Sequence, residues 1–203
     1  LKNFNYTKNL VNSIVELNLN CKFIFAGSSL MFENLKKKKV NEKDKFKSNS
    51  YYGMYKISAY RYIESMKKKK KINATTAILF NHDSTYRNKS FLIPKLINAF
   101  KKKKLKYIEH IYKLNICGDF SHAKDICNGL FKLSIYKKNI DKIIFSSGKK
   151  ICINSVIQYL EKIYNLKLKR NVIKNKDNLK ILGSNSLAKK LLKFNNKKNI
   201  FNV

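Results

Sequence analysis

Cys21-Lys22-Phe23-Ile24-Phe25-Ala26-Gly27-Ser28-Ser29 is the stretch on which the fold turns. It is an apolar run of strand length closed by small residues. A strand covered on both faces has this make-up, as in a parallel sheet. Upstream, Leu10, Val11, Ile14 and Leu17 recur at helical spacing and predict a short amphipathic helix that feeds the strand. Downstream, lysine-rich sequence from Glu33 to Asn49 reads as an exposed loop. The segment from Tyr52 to Lys71 then carries a helical stripe of Tyr52, Tyr55, Ala59, Tyr62, Ile63 and Met66. Ala74 to Phe80 is the next apolar run. Helix and strand alternate, which predicts an α/β architecture.

Beyond Asn81 the character changes. Asn81 to Ser90 reads as a polar loop, and Phe91 to Phe100 as a helix with Pro94 in its first turn, where proline is tolerated. Tyr107 to Tyr112 predicts a short strand. His122 to Tyr136 predicts a helix with Ile126, Leu130 and Leu133 on one side. Lys142 to Phe145 is a strand ending at Ser-Ser-Gly. Two further helices are expected, Ile153 to Tyr164 capped by Asn154 and Ser186 to Phe194 capped by Ser186.

The 203 residues carry a formal net charge of +33 with 44% hydrophobic content, enough for a packed core despite the charge. Such a balance raises nucleic-acid binding as an alternative. Yet Arg61, Arg87 and Arg170 are the only arginines, and base readout favours the planar arginine fork. The runs Lys36 to Lys39, Lys67 to Lys71 and Lys101 to Lys104 end apolar segments and read as solvated surface, so no specific nucleic acid is expected. No apolar run approaches the roughly 18 residues of a bilayer span, and a soluble, cytoplasmic chain is expected. Cys21, Cys117, Cys127 and Cys152 show no C-x-x-C spacing. They are expected as buried free thiols, with no metal site.

Tyr52-Gly53-Met54-Tyr55-Lys56 carries the chemistry. Its tyrosine and lysine ends are four apart and share a helix face. A free phenol has a pKa of about 10. A nearby ammonium favours the phenolate, so Lys56 is expected to make Tyr52 a better proton acceptor. Ser28, at the end of the preceding strand, could donate to the reacting oxygen, because ligands in open α/β sheets bind beyond the carboxyl ends of strands. Taken alone, Y-x-x-x-K occurs easily by chance in a chain this rich in tyrosine and lysine.

Longer segments narrow the reading. Ile78-Leu-Phe-Asn-His-Asp-Ser84, followed by Arg87 and Phe91-Leu-Ile-Pro-Lys95, resembles the I-L-F-N-H-E-S-P-R-R-G-E-T-F-V-T-R-K segment of GDP-mannose 4,6-dehydratases, members of the extended short-chain dehydrogenases. Gly118-Asp-Phe-Ser-His-Ala-Lys-Asp125 resembles their R-D-W-G-H-A-K-D. Phe145-Ser-Ser-Gly148 and Leu182 to Leu191 resemble later segments, in the family's order. The resemblance implies the C-terminal part of a Rossmann-type parallel sheet domain plus a smaller mixed α/β substrate-binding domain. It implies residues 1–80 as an incomplete NADP-binding unit, its glycine-rich turn missing through N-terminal truncation. Residues 81–203 would be mainly the substrate-binding region, with some segments returning to the sheet. By the same resemblance Ser28, Tyr52 and Lys56 form the catalytic triad. Asn81, His82 and Arg87 approach the NADP cofactor together with Tyr52 and Lys56, Asn81 and Lys95 approach the nucleotide sugar, and the full-length protein forms a homo-oligomer.

Two departures stand out. Leu30 occupies the place of the family's glutamate, the base that removes the C5 proton, and leucine accepts no proton. Gly118 replaces an arginine expected on the substrate diphosphate. The expected activity is therefore NADP-dependent dehydration of a GDP-sugar, GDP-mannose to its 4-keto-6-deoxy product. A nucleotide-sugar epimerase or reductase of the same fold, or an inactive remnant, are the alternatives.

Overall fold

The structure is a computed structural model that describes residues 2–69, 71–168 and 178–198; Lys70 and Arg170 lie outside them. The first helix, α1 (Lys2–Glu16), leads to β1 (Lys22–Ser28), a single 3-10 turn (Ser29–Phe32) and the two-residue β2 (Lys39–Val40). Helix α2 (Tyr51–Lys68), β3 (Asn73–Leu79) and β4 (Asn81–Asp83) follow. Then come α3 (Leu92–Lys101), α4 (Leu105–Lys113), β5 (Ile116–Gly118), β6 (Phe120–His122), α5 (Ala123–Ile135) and β7 (Lys142–Phe145). The chain continues through β8 (Ile151–Cys152), α6 (Ile153–Ile163), β9 (Asn178–Leu179), β10 (Leu182–Gly183) and α7 (Ser186–Leu192). The α/β reading holds.

The central sheet is parallel throughout, in the order β1-β3-β7, with Lys22 opposite Asn73 and Thr76 opposite Lys142. Strand β3 lies between the other two, which explains its near-continuous buried run from Ala74 to Ile78. Its threonines need partners there: the Thr75 hydroxyl donates to the Ile140 carbonyl oxygen at 2.7 Å. One face packs Phe25 and Ala74 against Val11 of α1 and Ala59 and Ile63 of α2. The other face packs Ala77, Ile143 and Phe145 against Ile126 and Leu133 of α5 and Leu192 of α7. Thus β7, α5 and α7, late in the chain, build on the same sheet as β1. A separate core of Ile93, Leu96, Phe100, Ile108, Ile111, Ile157 and Leu160 joins α3, α4 and α6. Burying one such side chain contributes about 1.5–3 kcal/mol, whereas an exposed ion pair contributes about 0–1 kcal/mol. The lysine runs, exposed among the described residues except for Lys67 in its bridge to Asp141, therefore do not decide the fold.

Several expectations are corrected. Residues 107–112 are helical, not extended. Ile108 and Ile111 are one helical step apart and both face the α3–α6 core, so periodicity overrides the β preference of the flanking tyrosines. The loop after β3 opens with a strand, because Asn81–Asp83 pairs in parallel with Phe120–His122. Within the lysine-rich loop, Lys39–Val40 pairs with Leu182–Gly183 and buries Val40. Only Val11 and Ile14 of the predicted α1 stripe are buried; Leu10 and Leu17 are exposed. Asn154 is not a cap but an internal residue of α6, bonded to Asn115, and Ser186 follows its cap, Asn185. Cys117 and Cys152 are directly opposed on antiparallel β5 and β8 and joined as a disulfide, while Cys21 and Cys127 are free and exposed. Sheet pairing brings together half-cystines 35 positions apart. Among the described residues no helix is long and apolar enough to cross a membrane.

Candidate active site

The carboxyl end of β1 is the origin of the site. Strand β1 stops where Ser28 turns the chain: its hydroxyl accepts the Leu30 backbone N–H at 3.2 Å and caps the 3-10 turn. Helix α2 starts at Ser50, whose hydroxyl accepts the Gly53 N–H. Turn and helix are packed tightly together. A Cβ on Gly53 would lie 2.0 Å from Ser48 Oγ and 2.6 Å from the Leu30 carbonyl oxygen, so only glycine lets the first turn of α2 approach so closely.

Tyr52 and Lys56 are thereby brought to the end of β1. The Lys56 ammonium donates to the Ala26 carbonyl oxygen at 2.7 Å and lies 5.5 Å from the Tyr52 ring centroid, with Phe25 and Tyr55 rings beside it. Burial lowers the Lys56 pKa. The expected lowering of the Tyr52 phenol by Lys56 is not what the structure gives. Burial, reinforced by Tyr55, pushes that phenol above its ordinary value, and the charge that pulls it back belongs to Arg87. No hydrogen bond joins Ser28 to Tyr52 among the described residues; the Ser28 hydroxyl is held by the turn it caps.

A cleft of about 690 Å³ opens beside this group, lined by Ser29, Leu30, Asn81, His82, Asp83 and Arg87 and closed on the far side by Phe120 and the 179–181 segment. Ser28, Tyr52 and Lys56 are not among its lining residues, whereas Ser29, next to Ser28, is. Asn81, exposed, begins β4. The His82 Nδ1 lies 2.8 Å from the Phe80 carbonyl oxygen. A carbonyl can only accept, so Nδ1 is the donor in this contact. Arg87 stacks over Phe91 at 3.7 Å, and its Nε is buried with no hydrogen-bond partner. Lys95 is not in the lining: its ammonium lies over Tyr107 on the exposed side of α3.

Two residues acquire functions that the linear sequence does not display. Glu33 lines the cleft three positions after Leu30, but its Oε1 accepts the Ser48 hydroxyl and the Asn49 and Ser50 N–H groups. Burial pushes its pKa up, and these bonds together outweigh burial and hold it below the usual carboxylate range. That carboxylate is committed to the entry of α2. Asp119, fully buried, accepts from Ser147 N–H and O–H on one oxygen and from Gly148 and Gly183 N–H on the other. Burial keeps its pKa raised despite the four bonds. Neighbouring Gly118 has no side chain to fill the space toward Lys180 and Asn81: a Cβ there would lie 3.6 Å from Lys180 Cβ and 3.9 Å from Asn81 Nδ2.

The model of the family described as GDP-mannose 4,6 dehydratase matches residues 2–199. The chain belongs to this family. It is 26% identical to the human GDP-mannose 4,6 dehydratase over 160 residues, covering 78% of this chain and 40% of that protein. It is 25% identical to Caenorhabditis elegans GDP-mannose 4,6 dehydratase 2 over 134 residues, covering 65% of this chain and 35% of that one. The chain thus spans about 35–40% of the length of these curated relatives. Among solved structures, UDP-glucuronic acid 4-epimerase from Bacillus cereus, in complex with NAD, superposes with a TM-score of 0.79 at 20% identity over 96% of this chain and 62% of that one. RMD from Pseudomonas aeruginosa, complexed with NADPH, gives 0.80 at 16% identity over 97% and 68%. At these identities the superpositions establish a shared fold alone, a mixed α/β architecture around a parallel sheet.

Proposed function

We propose that this chain forms part of an NADP-dependent enzyme that acts on a GDP-sugar by oxidising its C4 hydroxyl, the opening act of GDP-mannose 4,6-dehydration. One observation carries the reading: Lys56 is anchored on the Ala26 carbonyl with Tyr52 beside it, at the carboxyl end of a parallel strand, two residues before Ser28. A nicotinamide, when bound, supplies the hydride acceptor. Tyr52 takes the hydroxyl proton, and its environment sets the difficulty: burial disfavours the phenolate, and the Arg87 guanidinium offsets part of that cost. Lys56 orders the phenol through ring contact and its bond to the strand. Ser28 accepts the Leu30 N–H on its oxygen and keeps its own O–H to donate to the reacting oxygen. The residues present fit one end of such a cofactor, because Arg87 keeps a buried donor without a partner and exposed Asn81 lines the same cleft. No G-x-x-G-x-x-G run occurs in the sequence, so these residues supply no pyrophosphate turn of that kind.

A second reading, a nucleotide-sugar epimerase or reductase, is favoured by the state of the carboxylates. Elimination requires removal of the C5 proton. Leu30 cannot accept it, and Glu33 is occupied by three donors. Incubation with GDP-mannose and NADP, followed by mass analysis of the sugar nucleotide, separates the readings. A product lighter by one water supports dehydration. A product of unchanged mass and inverted configuration supports epimerisation. Tyr52→Phe should lower either rate by about 10²–10⁴-fold. Unchanged turnover in that variant contradicts the assignment.

A further inference from the structure

We infer that the Lys180 ammonium is the cation that holds the diphosphate of the ligand in this cleft. The inference rests on the nucleotide-sugar reading and assigns a residue to it.

The backbone fixes the position. Leu179 pairs with Cys117, and the Lys180 N–H donates to the Cys117 carbonyl oxygen at 2.8 Å, so Lys180 leaves the strand beside Gly118. Gly118 adds no side chain beside the Lys180 stem, and the place its Cβ would take lies 3.3 Å from the Phe120 ring and 3.6 Å from Lys180 Cβ. Lys180 is exposed and lines the cleft.

The charges in the cleft then single it out. Of its lining groups, Lys37 is bridged to Asp44, and Glu33 is saturated by Ser48, Asn49 and Ser50. Asp83, whose pKa burial raises, feels the opposing charge of Arg87. Lys180 has no side-chain partner among the described residues. The same cleft holds the orphaned Arg87 Nε. That donor is the one assigned to the cofactor, which leaves the Lys180 ammonium as the unneutralised charge that calls for a second anion, and the diphosphate of a sugar nucleotide offers it several oxygens. Its volume lies within the usual range for small-molecule sites of about 300–1,000 Å³.

The test is calorimetric titration of the full chain with GDP, UDP and guanosine, using wild type, Lys180→Met, Lys180→Arg and, as a control on the exposed end of α3, Lys102→Met. Lys180→Met should weaken diphosphate binding roughly ten- to hundredfold, the effect of losing one charge-assisted contact, and flatten its salt dependence. Guanosine binding should stay within twofold. Lys180→Arg should restore most of the loss, and Lys102→Met should have no effect. Equal weakening for guanosine and GDP overturns the assignment, because it marks a displaced strand rather than a lost phosphate contact. GDP binding within twofold of wild type in Lys180→Met overturns it too. If wild type binds neither diphosphate, the nucleotide-sugar reading itself falls and takes this one with it. Binding of UDP in place of GDP overturns only the choice of base and leaves Lys180 under the same test.

Discussion

Position 30 and position 33 show how little a side chain's identity says until its partners are known. Leu30 is 40% exposed on the cleft wall and has no chemistry. Glu33 has the chemistry but spends it on the three donors that start α2. Its depressed pKa has a direction that can be checked. An unfolded glutamate titrates at about 4.3. With the folded value lower, the contribution of Glu33 to stability is complete above that pH and is lost as the pH falls through the folded pKa. The Asn49 and Ser50 amide proton shifts, followed by NMR, should therefore titrate with a midpoint below about 4.3. Glu33→Gln keeps an oxygen acceptor without the titration, and the same shifts should stay flat across that acid range. A midpoint at or above the ordinary value would mean that the carboxylate is free, and Glu33 would become a candidate base.

The start of α2 is the element on which the site depends, since Ser50, Gly53, Tyr52 and Lys56 all lie in its first two turns. Gly53→Ala tests that dependence. Ser48 could swing aside, but the Leu30 carbonyl is backbone, and a methyl 2.6 Å from it forces helix and turn apart. Overpacking of this kind costs about 1–3 kcal/mol. Urea unfolding should show a loss of that size, and oxidation of the sugar should fall with it because Tyr52 moves. A variant as stable as wild type would show that the approach is looser than the structure gives. The helix itself was legible in the sequence, as were β1, β3 and β7, because each carries a periodic or continuous apolar pattern within its own residues. The glycine's purpose was not, since the atoms it avoids belong to residues 30 and 48. Likewise β4 and β2 are three and two residues long, and only pairing with β6 and β10, far along the chain, makes them strands. Residues 107–112 read as a strand in isolation because their two tyrosines weigh that way, while Ile108 and Ile111 become decisive only once the α3–α6 core exists to receive them.

Across the chain, the family segments pointed to the correct fold, yet the contact that ties its parts together is one that no local pattern announces. Asp119 sits between β5 and β6, Ser147 and Gly148 follow the last strand of the central sheet, and Gly183 ends β10. One buried carboxylate satisfies donors from all three, with each oxygen taking two. Charge is unfavourable there, and burial raises the pKa accordingly. The carboxylate is retained because four donors converge on it and a neutral side chain cannot accept from all of them. Asp119→Asn makes this quantitative. The amide has one oxygen, so its NH₂ faces either Ser147 or the Gly148 and Gly183 pair; toward Ser147 it strands only the Ser147 N–H, because that hydroxyl can turn to the Lys149 carbonyl. At about 1–3 kcal/mol for an unsatisfied buried group, the loss should be roughly 1–3 kcal/mol in that orientation. It should also be regional as well as global: hydrogen exchange should accelerate at Ser147, or at Gly148 and Gly183 if the amide turns the other way, with the β1–β3 amides much less affected. If Asp119→Asn unfolds like wild type, or if none of the Ser147, Gly148 and Gly183 amides exchanges faster, the carboxylate does not join these segments.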